Sequence, residues 1–127
     1  PLTPPEVSAR VIDAVRGGAG AVIPVLPVTD TLKTVDASGL VTGTPRRADM
    51  VAVQTPQGFR WDVLTRAHEA GASRSADEAV AATDDAGLVE AVGGSVQTVA
   101  GDERSLKVTR PLDLALAQLL AAEEPSA

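Results

Sequence analysis

An α/β sandwich with a mainly parallel sheet is the fold class that this 127-residue sequence predicts, and three observations predict it. Helical and strand-like patterns alternate in the order helix, strand, hairpin, strand, helix, helix, strand, strand, helix. Ala21 to Leu26 is a continuous apolar run of strand length, as a strand covered on both faces reads. The hairpin between Thr31 and Thr44 carries few large apolar side chains, so it reads as an arm that packs on something else, such as another subunit.

The elements follow in order. Thr3 and Glu6 have capping-box spacing with Pro4 at the first helical position, and Val7, Val11, Ile12 and Val15 recur at helical spacing up to the stop at Gly17-Gly18. Pro24 removes a ladder donor from the first strand, which an edge position or a bulge would reconcile. Thr31 to Asp36 and Leu40 to Thr44 flank Ala37-Ser38-Gly39 as the two sides of the hairpin. Met50 to Gln54 is a strand ended by Thr55-Pro56-Gln57-Gly58, and Phe59, Val63, Leu64 and Ala67 share a helix face that ends at Gly71. Ser75 to Ala82 reads as a helix capped by Ser75, and Ala86 to Val92 as a short one with Thr83 as N-cap and Gly93-Gly94 as stop. Ser95 to Ala100 and Leu106 to Val108 are strands around the turn Gly101-Asp102. Thr109 caps a last helix with Leu112, Leu116, Leu119 and Leu120 at helical spacing.

Composition narrows the function classes. Ala (22 residues) and Val (17) supply most of the apolar content, with Phe59 and Trp61 the only aromatics, so the core is built from many small contacts. The formal net charge is −6 and the longest basic run is Arg46-Arg47, which argues against a nucleic-acid surface. Without cysteine there is no disulfide, no thiol catalysis and no Cys-bound metal. No apolar run reaches membrane-span length and no signal-type segment is visible, so no membrane association and a cytoplasmic location are expected. The start at Pro1-Leu2-Thr3-Pro4-Pro5 suggests a chain that begins inside a longer protein.

Few residues invite chemistry. Gly17-Gly18-Ala19-Gly20 follows a helix and precedes a strand, the reverse of a phosphate-binding turn, so it reads as a C-cap. His68 has no second His or Cys beside it and reads as a solvated helical side chain. Asp84-Asp85 at a helix start serves the macrodipole more readily than a divalent ion, and Thr83 just before it could cap the helix or orient a phosphate. Lys107 ends a short strand, where open α/β sheets bind ligands, although a solvated Lys reads equally well. Arg46-Arg47 beyond the arm, and Thr31 and Lys33 at its root, are either surface groups or anion ligands. The residues alone thus specify an anion-binding α/β domain with an arm, and no reaction.

Four segments in order resemble a known family. Pro24 to Lys33 (PVLPVTDTLK), Val53 to Phe59 (VQTPQGF), Thr83-Asp84-Asp85-Ala86 with Val92-Gly93-Gly94, and Leu106 to Leu114 (LKVTRPLDL) resemble the P-x-x-D-T-x-K, x-Q-T-P-Q-x-F, T-D-[DE]-[AS] and [IL]-K-[IV]-T-x-P-x-D-L stretches of 2-C-methyl-D-erythritol 4-phosphate cytidylyltransferases. The resemblance implies a Rossmann-like three-layer fold whose β-arm, here about residues 31–47, interlocks two subunits of a homodimer. It implies transfer of a cytidylyl group from CTP to methylerythritol phosphate, with release of pyrophosphate and with Mg²⁺, in non-mevalonate isoprenoid synthesis.

Carried over by position, the resemblance makes Lys107 the cation beside the transferred phosphate, where it would stabilise charge that builds at phosphorus. Thr31 and Arg47 match arm residues that hold the alcohol phosphate from the partner subunit, and Thr55 and Thr83 match pocket threonines. No general base is required, because a phosphate monoester is already anionic. The family's Gly-rich CTP loop and its H-D-A-A-R segment, with the metal-binding Asp, have no counterpart in the chain. Residues 1–127 would then be the carboxyl-terminal part of one domain, inactive alone, lacking a metal ligand and with an unpaired side to its sheet. A ribitol-phosphate cytidylyltransferase and a non-catalytic dimerisation module are the alternatives.

Overall fold

The computed structural model describes residues 2–72 and 84–123. Their elements run α1 (Pro5–Arg16), β1 (Ala21–Pro27), β2 (Thr34–Val35), β3 (Val41–Gly43), β4 (Val51–Val53), β5 (Gly58–Phe59), α2 (Trp61–Ala72), α3 (Asp85–Ala91), β6 (Gln97–Ala100) and α4 (Pro111–Glu123). The helix expected at Ser75 to Ala82 lies outside the described residues, as does Thr83.

β1 organises the sheet. β6 runs parallel along one side, with Ile23 opposite Thr98, while the other side is shared by β5 at Ala21 and Val22 and by β4 at Val25 to Pro27, both antiparallel. The sheet is therefore mixed, and the parallel pairing expected of it is confined, among the described strands, to β1 and β6. Pro24 is fully buried in this central strand, neither at an edge nor in a bulge. Its carbonyl accepts from the Gln54 N–H at 2.8 Å, so its missing donor faces the same flank, where β5 has ended and β4 has not begun. The break between two short strands is what accommodates it.

Neighbouring residues of β1 and β5 face opposite layers. Ala21 and Phe59 point to α2 and α3, where Ala21, Ala67 and Val89 form a fully buried cluster against Phe59, Val63 and Leu88. Val22 and Gly58 point to α1, and a Cβ on Gly58 would collide with Val11 Cγ1, so glycine sets how near α1 can lie. The result is a three-layer α/β arrangement. Phe59 belongs to β5 rather than to the face of α2, which starts at Trp61.

Helix boundaries depart from the sequence reading for local reasons. α1 starts at Pro5 with Pro4 as N-cap and without a side-chain cap from Thr3. Pro5 forces the residue before it into extended geometry, so Pro4 (ψ 144°) cannot be helical. At the other end Gly18 takes φ +116°, open to glycine, and stops the helix as expected. Asp84, not Thr83, is the side-chain cap of α3, accepting from the Gly87 N–H at 2.7 Å. For α4, Thr109 is not the cap. Asp113 at the third helical position reaches back to the N–H groups of Arg110 (2.9 Å) and Thr109 (3.2 Å) and to the Thr109 hydroxyl (3.1 Å).

Leu106 to Val108 is not a strand. A 3-10 turn, Glu103–Ser105, closed by the Ser105 N–H on the Asp102 carbonyl (2.9 Å) and by the Asp102 carboxylate on the Arg104 N–H (2.8 Å), redirects the chain after β6. β2 and β3 form their own two-stranded sheet, and every residue from Thr29 to Thr42 is exposed, as expected of an arm. Its tip is closed by Asp36, whose carboxylate accepts from the Ser38 N–H and hydroxyl and from the Leu40 N–H, with Gly39 at φ +89°. Those hydrogen bonds, the Ser38 hydroxyl first, hold the Asp36 carboxyl below its ordinary value.

Apolar side chains of β4 and α4 are left uncovered by the described residues. Val51 and Val53 on β4 are exposed, and Leu112, Leu114, Leu116 and Leu119 line α4 at 64%, 51%, 45% and 62% exposure, values typical of an interface rather than of a helix packed on its own domain. Among the described residues no helix is long and apolar enough to cross a membrane.

Candidate functional site

β4 and β6 both end beside Val25 of β1, Val53 on one side and Ala100 on the other, so the loops that follow them start at the same level of the sheet. Between them lies an open cavity of about 390 Å³ lined by Leu26, Ala52, Val53, Gln54, Thr55, Gln57, Asp84, Ser105, Leu106 and Lys107. A second cavity of about 700 Å³ adjoins it and shares Thr55, Gln57 and Asp84. Two of the sequence-predicted residues, Thr55 and Lys107, thus line one recess. Both are exposed, as groups that meet a ligand must be.

The recess is framed by two glutamines that flank Thr55, which is joined to Pro56 by a cis peptide bond. Gln54 accepts from the Asp102 N–H (3.0 Å) and donates to the Asp102 carbonyl (2.9 Å), tying the loop to the turn that precedes Lys107. Gln57 donates to the Asp84 carboxylate (2.9 Å) and accepts from the Ala86 N–H (3.3 Å), tying it to the start of α3. Both glutamines are positions of the x-Q-T-P-Q-x-F stretch, but only the tertiary contacts show what they hold. Ser105, also on the wall, is buried, and its hydroxyl has no partner among the described residues.

The arm residues stand elsewhere. Thr31 is exposed ahead of β2, and Arg47 opens a 3-10 turn (Arg47–Asp49) from which its guanidinium donates to the Thr29 carbonyl at 2.9 Å. Neither lines the recess that holds Thr55 and Lys107. Lys33 donates to the Thr44 hydroxyl at 2.7 Å and braces the two sides of the arm. Thr83 lies outside the described residues, one position before the Asp84 that lines the recess.

Asp84 is fully engaged, one oxygen on the Gly87 N–H and the other on the Gln57 amide. Among the described residues no group of three or more acidic or histidine side chains could hold a metal ion. His68 is half-exposed on α2 and bonds Asp85 at 3.0 Å, as a solvated helical histidine would. What the arrangement can do is narrower: an open recess with the Lys107 cation and the hydroxyls of Thr55 and Ser105 fits a phosphate-bearing ligand.

Comparison with known proteins points the same way. Residues 1–123 match the model of the family described as 2-C-methyl-D-erythritol 4-phosphate cytidylyltransferase. Among curated relatives, the proteins of that name from Rhodococcus jostii (strain RHA1) and Nocardia farcinica (strain IFM 10152) are 53% and 55% identical, over 96% and 94% of this chain. The chain spans about half the length of these relatives, 51% and 48%. The crystal structure of 2-C-methyl-D-erythritol 4-phosphate cytidylyltransferase from Thermus thermophilus superposes with a TM-score of 0.79 at 40% identity, covering 96% of this chain and 57% of that one. That of 4-diphosphocytidyl-2C-methyl-D-erythritol synthase from Anaerococcus prevotii gives a TM-score of 0.82 at 29% identity, covering 97% and 55%.

Proposed function

Because the chain belongs to the 2-C-methyl-D-erythritol 4-phosphate cytidylyltransferase family, we propose that it is the carboxyl-terminal, alcohol-phosphate-binding part of an enzyme that joins methylerythritol phosphate to CTP. The observation that carries this reading is the recess in which Thr55 and Lys107 meet, since those are the positions that match the family's pocket residues. In the reaction a phosphate oxygen of methylerythritol phosphate attacks the α-phosphorus of CTP. The new P–O bond forms as the bond to pyrophosphate breaks. Lys107 holds positive charge beside the phosphorus as negative charge spreads over its oxygens, which favours the transition state over the bound substrates. Thr55 and Thr83 orient the phosphate by their hydroxyls.

Thr31 and Arg47 contact the alcohol phosphate of the other subunit in a cytoplasmic homodimer joined by the arm. The exposure of Thr31 and Arg47 and their absence from the recess lining support that reading. The CTP loop and the Asp ligand of Mg²⁺ belong to the segment before Pro1, which also covers the apolar surfaces of β4 and α4; this half alone is inactive. The exposed Val51, Val53 and α4 leucines support it.

The test uses the full-length protein. Pyrophosphate should be released from CTP only when methylerythritol phosphate is added, and Lys107→Ala should lower that rate by about 10²-fold or more with little loss of stability. A preference for ribitol phosphate would move the assignment to that substrate. No turnover with either would leave a dimerisation module.

A further inference from the structure

Lys107 has no hydrogen bond or ion pair of its own among the described contacts, and it sits on irregular backbone rather than on a strand. Its position is inherited from the 3-10 turn that precedes it, and that turn starts at Asp102. The backbone of Asp102 is gripped on both of its polar groups by a single side chain, the Gln54 amide, at 2.9 and 3.0 Å. The two residues are 48 positions apart in sequence. Gly101 makes room for this contact: a Cβ there would collide with Gln54 Oε1. The Gln54 backbone is itself fixed, its N–H donating to the buried Pro24 carbonyl of the central strand. Gln54 is also the residue immediately before Thr55.

We infer that Gln54 is a positioning residue for Lys107: by clamping Asp102 to β1 through its own backbone, it sets the lysine and Thr55 in one rigid frame. The inference rests on the role of Lys107 proposed above. A side chain that accepts from N–H and donates to C=O of the same residue requires a primary amide of this length. Asn is one methylene too short, Glu can only accept, and Met can do neither. Misplacement of a catalytic group by about 1 Å can cost on the order of 10²-fold in rate.

The experiment is a double-mutant cycle in the full-length protein, read as pyrophosphate release with saturating CTP and methylerythritol phosphate. Gln54→Met should lower kcat by about 10- to 100-fold while KM for CTP stays within about twofold. Gln54→Glu, which keeps the acceptor for the Asp102 N–H, should recover part of the loss. In a Lys107→Ala background both Gln54 substitutions should cost far less, at most about threefold in kcat, because the lysine is gone and only the placement of Thr55 is left to lose. An equal loss in both backgrounds, or an unchanged kcat in Gln54→Glu and Gln54→Met, overturns the inference while the role of Lys107 stands. A near-normal rate for Lys107→Ala alone overturns the functional reading, and this inference with it. If Gln54→Met does not fold, Gln54→Glu in the two backgrounds decides by the same comparison.

Discussion

Gln57 donates its side-chain amide to one carboxylate oxygen of Asp84 at 2.9 Å, while the other oxygen caps α3 on the Gly87 N–H at 2.7 Å. One carboxylate therefore fastens the loop that carries Thr55 to the helix that follows Thr83. The adjacent acidic pair, which in sequence could suggest a cation site, is engaged in structure by Gln57, the start of α3 and His68.

That relationship predicts a stability effect. In the full-length protein Asp84→Ala should cost about 1–2 kcal/mol or somewhat more, whereas Asp84→Asn, which still caps α3 but loses the bond from Gln57, should cost less, about 0.5–1.5 kcal/mol. Equilibrium denaturation in urea checks both values. Equal costs for the two substitutions would show that the cap is not what Asp84 contributes.

The separation of the arm from the recess predicts complementation. Lys107→Ala and Arg47→Ala subunits should each be inactive as homodimers, since each lacks one part of every site. Mixed heterodimers should regain activity, up to about half of that per wild-type dimer, because one of their two shared sites is intact. Co-purified heterodimers with distinct tags provide the measurement, and no recovery would place Arg47 in the same site as Lys107 of its own chain.

Asp113 predicts a pH dependence at the start of α4. The Arg110 side chain first, and then the Thr109 N–H, lower its carboxyl from the ordinary 3.8 to about 2. A folded-state value below the unfolded one means that the ionised group stabilises the fold. That contribution is complete above about pH 4 and is lost as pH falls towards 2. The Asp113 carboxyl carbon should titrate near pH 2 by NMR, and amides at the start of α4 should lose exchange protection over the same window. Asp113→Asn should remove that dependence; a midpoint near the ordinary value would refute it.

Much of the architecture was legible because it depends on local pattern. The apolar run at Ala21 to Leu26, the glycine stop of α1 and the polar hairpin each follow from a few adjacent residues, and the structure has all three. The failures share a cause as well. Thr3, Thr83 and Thr109 sit at plausible cap spacings, yet Pro5 decides where α1 starts by holding Pro4 extended, and the carboxylates of Asp84 and Asp113 accept the N–H groups at the starts of α3 and α4. Leu106 to Val108 has strand composition, but a 3-10 turn fixed by Asp102 and Gln54 leaves it as irregular backbone.

By itself the sequence determined the α/β class, the exposed arm and the family, because apolar periodicity, turn residues and four ordered motifs are properties of the chain alone. Tertiary structure decided which residues meet. Thr55 and Lys107 line one recess because β4 and β6 both end beside Val25 of β1, and no spacing in sequence encodes that. It also decided how Pro24 survives in a central strand and why Gln54 matters. Both depend on hydrogen bonds between segments that are distant in sequence, and such bonds exist only once the sheet has formed.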